Sequence, residues 1–514
     1  MKRWTWKGPS GRSARWVAAH AWAACAAMVI AGCATAPGQG GQGAWAAAAA
    51  VPAAQASQPT PAPQPALLPA QASTVLQESA QLAHYRLANG LEVIVKPDRR
   101  APTAVHMLWV RVGSIDEEDG TSGIAHMLEH MMFKGSAALA PGEFSRRVAE
   151  LGGQDNAFTN HDYTAYYQQV PASELEVVMA LEAERFAHNQ WPDEEFTREV
   201  EVVKEERRLS IDDQPRAKLY EQLMAATYLA SPERRPVIGW MGDIEQYTAE
   251  DVRAFYRQWY QPGNAAVVVV GQVQPQQVLR LAERYYGRLA PGALPARKIT
   301  AEPPQQGLRR IQLHERAEQP VLLMAYKAPP LKNLAQPTAA DWDALALMAL
   351  AGVLSGYDGA RLDRALTRGP RRVADQVDAS AQLSGRSGNG LFLLSAIPAQ
   401  GVPMSKLEEA LRRSIRGVAE QGVSEAELAR VVTQWAASTI YAQDSMFAQA
   451  MDLGTDWIEG WPLHANERLL ALLRQVTPAQ VQAVARRYFS DAALTVAELV
   501  PQAAAPASAQ GARR

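Results

Sequence analysis

Two stretches of the chain, YTAEDVRAFYRQWYQPGNAAVVVVG (247–271) and VTPAQVQAVARRYFSDAALTVAELV (476–500), repeat one pattern 229 residues apart. Thr248, Val252, Ala254, Arg257 and Val267 recur as Thr477, Val481, Ala483, Arg486 and Val496, with Tyr260 facing Phe489. Each stretch reads as a helix with a capping threonine, a turn, and a hydrophobic strand. The simplest architecture that carries such a unit twice is two tandem copies of one α+β domain, at 79–290 and 308–500. Two unrelated helix–strand units remain the alternative. The 514 residues, 47% hydrophobic, suffice for two cores, and the Pro- and Gly-rich PGALPARKITAEPPQQG (291–307) suits a linker between them.

The first copy opens with HYRLANGLEVIVKP, a hairpin turning at Asn89-Gly90, followed by the strand AVHMLWVRVGS. The two copies differ chemically. Of nine histidines only His314 and His464 fall in the second half, with no partners near them in sequence, so metal chemistry belongs to the first copy. A formal charge of -2 with scattered Lys and Arg argues against a nucleic-acid partner.

The ends are not fold. A basic start, MKRWTWKGPSGRSARW, leads into the Ala-rich VAAHAWAACAAMVIAGC, short for a membrane span and typical of an export signal. Ile30-Ala31-Gly32-Cys33 resembles the lipobox of bacterial lipoproteins, with Cys33 the acylated residue, and Ala34 resembles the outer-membrane sorting pattern. A plain secretory signal cleaved near Ala-Trp-Ala, with Cys33 incidental, is the alternative. The expectation is a signal at 1–33, a disordered Ala/Pro/Gln-rich tether at 34–78 and a disordered tail at 501–514. That places the protein in the periplasm, held at the outer membrane by a lipid anchor alone. With Cys25 lost in the signal, no internal disulfide forms.

The run TSGIAHMLEHMMFKGS (121–136) buries polar groups where a core should be. Thr121 or Ser122 can cap a helix and Gly135 can end it, while Ile124, Ala125, Met127, Leu128, Met131, Met132 and Phe133 surround it with apolar side chains. His126 and His130 project one turn apart from one face, with Glu129 beside them. Leaving these groups unpaired there costs about 2 kcal/mol or more each. Two neutral imidazoles at this spacing chelate one zinc, and the carboxylate between them can reach the water that completes the coordination. H-x-x-E-H is the inverzincin spacing. Histidines bonded to backbone carbonyls are the bland alternative.

A third ligand is offered by FTREVEVVKEERRLS (196–210). Glu201, Lys204, Glu205 and Arg208 gather on one helical face, a solvated stripe. Phe196, Val200, Val202, Val203 and Leu209 form the opposite face, which Glu199 and Glu206 interrupt. Periodicity thus selects Glu206 rather than Glu205 as the inward ligand. Glu199, two turns earlier, can accept a hydrogen bond from a ligand imidazole or hold a water.

At this point the chain resembles the pitrilysin/insulinase family of zinc metallopeptidases, in its short bacterial, mitochondrial-processing-peptidase-like branch, over most of residues 80–500. HMLEHMMFKGS is similar to the family's signature helix, and Glu206 follows His130 by 76 residues, the interval of the third ligand. GGQDNAFTNHDYTAYY (152–167) resembles its edge strand and RRPVIGWMGDIEQYTAEDVRAFYRQWYQPGNAAVVVVG its helix–strand landmark. The resemblance implies two pitrilysin-like α/β sandwich domains forming half of a clamshell. It implies one zinc on His126, His130 and Glu206, with Glu129 as the general base that deprotonates the attacking water and reprotonates the leaving amine. Glu199 would support catalysis, and Asn156, Ala157 and Thr159 would bind an extended peptide substrate.

The second copy departs from the family pattern, in which an arginine and a tyrosine hold the substrate carbonyl. In ALTRGPRRVADQVDA, Arg368 is present, but Arg372-Val373 replaces Gly-Leu and Asp375 replaces the tyrosine. A carboxylate repels an oxyanion rather than stabilising it. The expected partner is therefore a homologous chain that lacks the zinc site and keeps the Arg/Tyr pair, a homodimer being the second choice. The expected activity is a zinc endopeptidase acting on short unfolded peptides at the cell envelope. The alternative is a noncatalytic peptide-binding or assembly subunit.

Overall fold

The computed structural model describes residues 73–298 and 300–502. The export signal, Cys33, most of the tether and the end of the tail lie outside the described residues. The first copy folds around strands β1 (Thr74–Glu78), β2 (Ala83–Arg86), β3 (Glu92–Pro97), β4 (Thr103–Val110), β5 (Gln154–Thr159), β6 (Thr164–Pro171) and β7 (Ala265–Gly271). These form one sheet in the order β1-β2-β3-β7-β4-β6-β5. The second copy supplies β8 (Arg309–Glu315), β9 (Val321–Ala328), β10 (Ala374–Gln382), β11 (Gly390–Pro398) and β12 (Leu494–Pro501), in the order β10-β11-β9-β12-β8.

The two sheets are the same design. β7 runs parallel to β3 and antiparallel to β4, and β12 runs parallel to β8 and antiparallel to β9. The repeated strand thus occupies the same place in both, preceded each time by the repeated helix, Ala249–Trp259 and Pro478–Arg487, with its threonine cap. The tandem α+β sandwich architecture follows. The first sheet adds β1 and β2, and β1 corrects the expected tether. TVLQE, exposed throughout, joins the sheet through antiparallel pairing with β2, because a β-branched segment beside an open edge completes backbone hydrogen bonds without needing a core. The expected linker is extended and anchored. Glu302 accepts the N–H groups of Leu229, Ala230 and Ser231, while Arg297 pairs with Asp116 at 2.8 Å.

Each domain covers one face of its sheet with its own helices. Val267 and Val269 of β7 point to that side in the first domain, and Val268 and Val270 point to the other. The other face is closed by the neighbouring domain. Helix Met446–Glu459 lays Ala450, Leu453, Trp457 and Ile458 on Val105, Met107, Trp109 and Val268. Reciprocally, helix Pro215–Thr227 of the first domain places Leu219 and Leu223 on Leu313, Leu323, Ala325 and Leu499 of the second sheet. Large apolar side chains buried in this way contribute about 1.5–3 kcal/mol each, so the exchange welds the two domains together.

Candidate metal centre

The histidines lie on helix Ile124–Met131, shorter at both ends than its sequence suggests. Neither Thr121 nor Ser122 caps it. The helix starts from Gly123 at φ +87°, and the Ser122 hydroxyl instead donates to Asp243 and accepts from the Trp240 N–H. Glu117 takes the capping role, accepting the N–H groups of Gly123 at 3.0 Å and Ala125 at 2.9 Å. Sequence reasoning missed it because a cap that reaches in from a separate loop has no fixed offset from the helix.

The glutamates lie on helix Asp193–Arg207, which continues as a π-helical turn, Arg208–Asp212. Phe196, Glu199 and Val203 are buried and Glu206 is half-buried, but Val202 and Leu209 are exposed, contrary to the expected apolar face. The spacing explains this. Val202 lies on the solvent side of the helix, away from Phe196, Glu199 and Val203, and the π-helical turn takes Leu209 out of the α-helical register on which the expected face was counted.

The two helices converge. One nitrogen each of His126 and His130 and one oxygen of Glu206 lie within 4.8 Å of one another, the one such donor group among the described residues. Glu206 stands 3.3 Å from His130 Nε2 and 3.8 Å from His126 Nε2, the latter too long for a hydrogen bond. His126 Nδ1 is buried without a hydrogen-bond partner. Two imidazole nitrogens and one carboxylate oxygen converging this closely form a nitrogen–nitrogen–oxygen donor set of the kind that holds zinc.

Around it the electrostatics are strongly shaped. Burial pushes His126 down to about 4, with the neighbouring His130 adding to the effect. Burial opposes charge on His130 as well, but the carboxylates of Glu199 and Glu206 outweigh it and carry the ring up to about 10. His130 Nδ1–H donates to Glu199 at 2.8 Å, and the Lys134 ammonium donates to the other oxygen of Glu199 at 2.5 Å. Burial works against that charged carboxylate too, yet these two donors hold it below the usual range. Lys134 was not singled out from the sequence; its spacing of four residues from His130 was the available signal, although the helix itself ends at Met131. Glu129 is buried and pushed up to about 7 by desolvation, while the Thr159 hydroxyl donates to its Oε2 at 2.6 Å.

Thr159 ends β5, which forms one edge of the first sheet. Ala157 packs on the side of the histidine helix. Asn156 lies one residue before it, on the opposite face with Phe158, so only two of the three expected peptide-contacting side chains share the side of the histidines. Arg368 lies in the second domain, apart from this cluster, and its guanidinium is paired with Asp363. Asp375, at the start of edge strand β10, pairs with Arg372 at 3.1 Å.

Twin sheets, one of them packed with a helix that carries an inverted histidine pair, define a two-domain protein of the pitrilysin-like class. The chain belongs to peptidase family M16, the insulinase family. Residues 92–239 match that family under the description "Insulinase (Peptidase family M16)", and residues 246–435 match "Peptidase M16 inactive domain". The zinc protease PqqE of Helicobacter pylori is 29% identical over 421 residues, 81% of this chain and 92% of that protein. A crystal structure of a protease from Helicobacter pylori superposes with a TM-score of 0.76 at 28% identity, covering 82% of this chain and all of the other. The first half of the periplasmic protease PqqL from Escherichia coli shares the fold, with a TM-score of 0.71 at 19% identity over 84% of this chain and 94% of that one. Against the complete PqqL chain the match covers 48% of its length.

Proposed function

We propose that the protein is a zinc-dependent endopeptidase that hydrolyses short, unfolded peptides at the bacterial cell envelope. The observation that carries this reading is the convergence of His126, His130 and Glu206 within 4.8 Å, beside a Glu129 tied to an edge strand. His126, His130 and Glu206 would hold the zinc, which when bound would supply Lewis acidity toward a peptide carbonyl and toward water. Glu129, titrating near neutrality, serves as the base that takes a proton from the attacking water and returns it to the leaving amine. Glu199 fixes the His130 ring by accepting its Nδ1–H, which directs Nε2 toward Glu206. A peptide added along β5 binds through its main chain, so its register against Thr159 and Ala157 selects the bond presented to Glu129 with little regard to side-chain identity.

Of the positions that correspond to the Arg/Tyr pair, Arg368 is engaged in an ion pair with Asp363, and Asp375, paired with Arg372, is a carboxylate that repels an oxyanion. This favours a partner: a homologous chain without the zinc site that supplies the Arg/Tyr pair, or failing that a second copy of this chain. That the match spans about half of PqqL supports an assembly of two halves. The same ion pairs also favour the second reading, a noncatalytic peptide-binding subunit. Export to the periplasm and an outer-membrane anchor at Cys33 complete the proposal.

The test is cleavage of a mixed library of unstructured peptides by purified, zinc-loaded protein beside its Glu129→Gln variant. Cleavage that disappears in the variant supports an endopeptidase active by itself. Folded, zinc-loaded protein that cleaves nothing, alone or with a homologous partner chain, sinks the enzymatic reading and leaves the binding subunit.

A further inference from the structure

Glu117 is a buried carboxylate to which the reaction above gives no task. It sits on the loop between β4 and the histidine helix, 6% exposed. Its Oε2 accepts the N–H of Gly123 and its Oε1 that of Ala125. These amides belong to the cap and first turn of the helix, where no preceding turn supplies acceptors. His126 follows Ala125 directly, so a two-pronged grip on this turn sets both its height and its rotation.

The loop that carries Glu117 is clamped from three directions. Asp116 accepts both terminal nitrogens of Arg386, from the second domain, at 2.9 Å, and Arg297 of the linker at 2.8 Å. The Glu117 carbonyl accepts from Arg235 at 2.7 Å. The backbone at the helix start has no slack, since a Cβ on Gly123 would lie 2.3 Å from the Ile238 carbonyl oxygen.

We infer that Glu117 is a positioning residue for the metal centre, its carboxylate fork on Gly123 and Ala125 holding the first helical turn where His126 and His130 meet Glu206. The inference rests on the reading that this centre binds zinc. It goes beyond helix stability, because the fork is expected to act on metal affinity.

The test compares zinc affinity, by competition with a chromophoric chelator, and the melting temperature of zinc-free protein. It uses wild type, Glu117→Gln, Glu117→Ala and Ser122→Ala. Gln offers one acceptor oxygen to two N–H groups, and zinc affinity is expected to fall about 10-fold, in the range known for residues that orient metal ligands. Glu117→Ala falls further; should it not fold, Glu117→Gln carries the test. Ser122 likewise makes side-chain hydrogen bonds, to Asp243 and from Trp240, but its hydroxyl touches neither helix amide. Its loss is expected to lower the melting temperature and leave zinc affinity at the wild-type value. Wild-type affinity in Glu117→Gln, or an equal loss in Ser122→Ala, overturns the inference. Wild-type protein that takes up no zinc overturns the endopeptidase reading itself, and this inference with it.

Discussion

Glu199 holds a charge where burial alone would neutralise it, and the two groups that prevent this are His130 Nδ1–H on the histidine helix and Lys134 just beyond its end. The arrangement orients as well as stabilises, because an imidazole that donates through Nδ1 has its ring turned so that Nε2 faces the position a metal would take. Glu199→Gln is expected to lower zinc affinity by about 10–100-fold without unfolding the protein, as chelator competition and circular dichroism would show. Unchanged affinity would mean that the ring is held by packing alone. Much at this scale was legible in the sequence. His126, Glu129 and His130 announced themselves as polar groups in an apolar run, and Glu206 and Glu199 as carboxylates breaking an apolar face. Glu117 was not legible, since its partners are backbone amides reached across a loop.

Among the elements, the most demanding contact is between helix Met446–Glu459 and the first sheet. Gly454 lies against the buried indole of Trp109, and a Cβ there would fall 1.9 Å from a ring atom. Alanine in a helix interior is ordinarily better than glycine by about 1 kcal/mol. Here the clash outweighs that gain, because a fully buried ring cannot swing aside and overpacking costs about 1–3 kcal/mol. Gly454→Ala is therefore expected to lower the melting temperature in a thermal scan; a rise would show that the helix shifts freely over the sheet. On helix Asp193–Arg207 Glu199 and Glu206 face the histidines, whereas Val202 and Leu209, expected on the apolar face, are exposed. Hydropathy marks a stripe as apolar, but only its neighbours decide whether that stripe meets a core or an opening.

For the whole molecule, the reciprocal exchange of helices makes the domain boundary a core rather than a hinge. It also buries acids. Asp456 is 6% exposed, accepts the Ala465 N–H at 3.2 Å, and is pushed up to about 8, by burial first and then by Asp452 and Glu459 on the same helix. Lys96 of β3 acts on Asp452 and Arg386 on Glu459, the two acids that flank it. An unfolded aspartate ionises near pH 4. The folded state therefore holds a proton that the unfolded state releases. The stability this confers is full below about pH 4 and is lost as pH rises to about 8, at up to about 1.4 kcal/mol per pH unit. Asp456→Asn keeps the acceptor and removes the titration, so its melting temperature should decline less than that of wild type between pH 5 and 8. Parallel declines would place the titration elsewhere.

By itself the sequence determined what depends on local spacing: the repeated helix–strand unit, the Asn89-Gly90 hairpin, the histidine pair, and the choice of Glu206 over Glu205. Periodicity carries such information because side chains at i, i+4 or i+2 share a face whatever lies beyond them. The tertiary structure alone decided which residues meet across long intervals. Arg386 of the second domain holds Asp116, and each domain's sheet is closed by a helix from the other. Those contacts follow from packing two whole domains together, and a sequence pattern has no term for a neighbour hundreds of residues away.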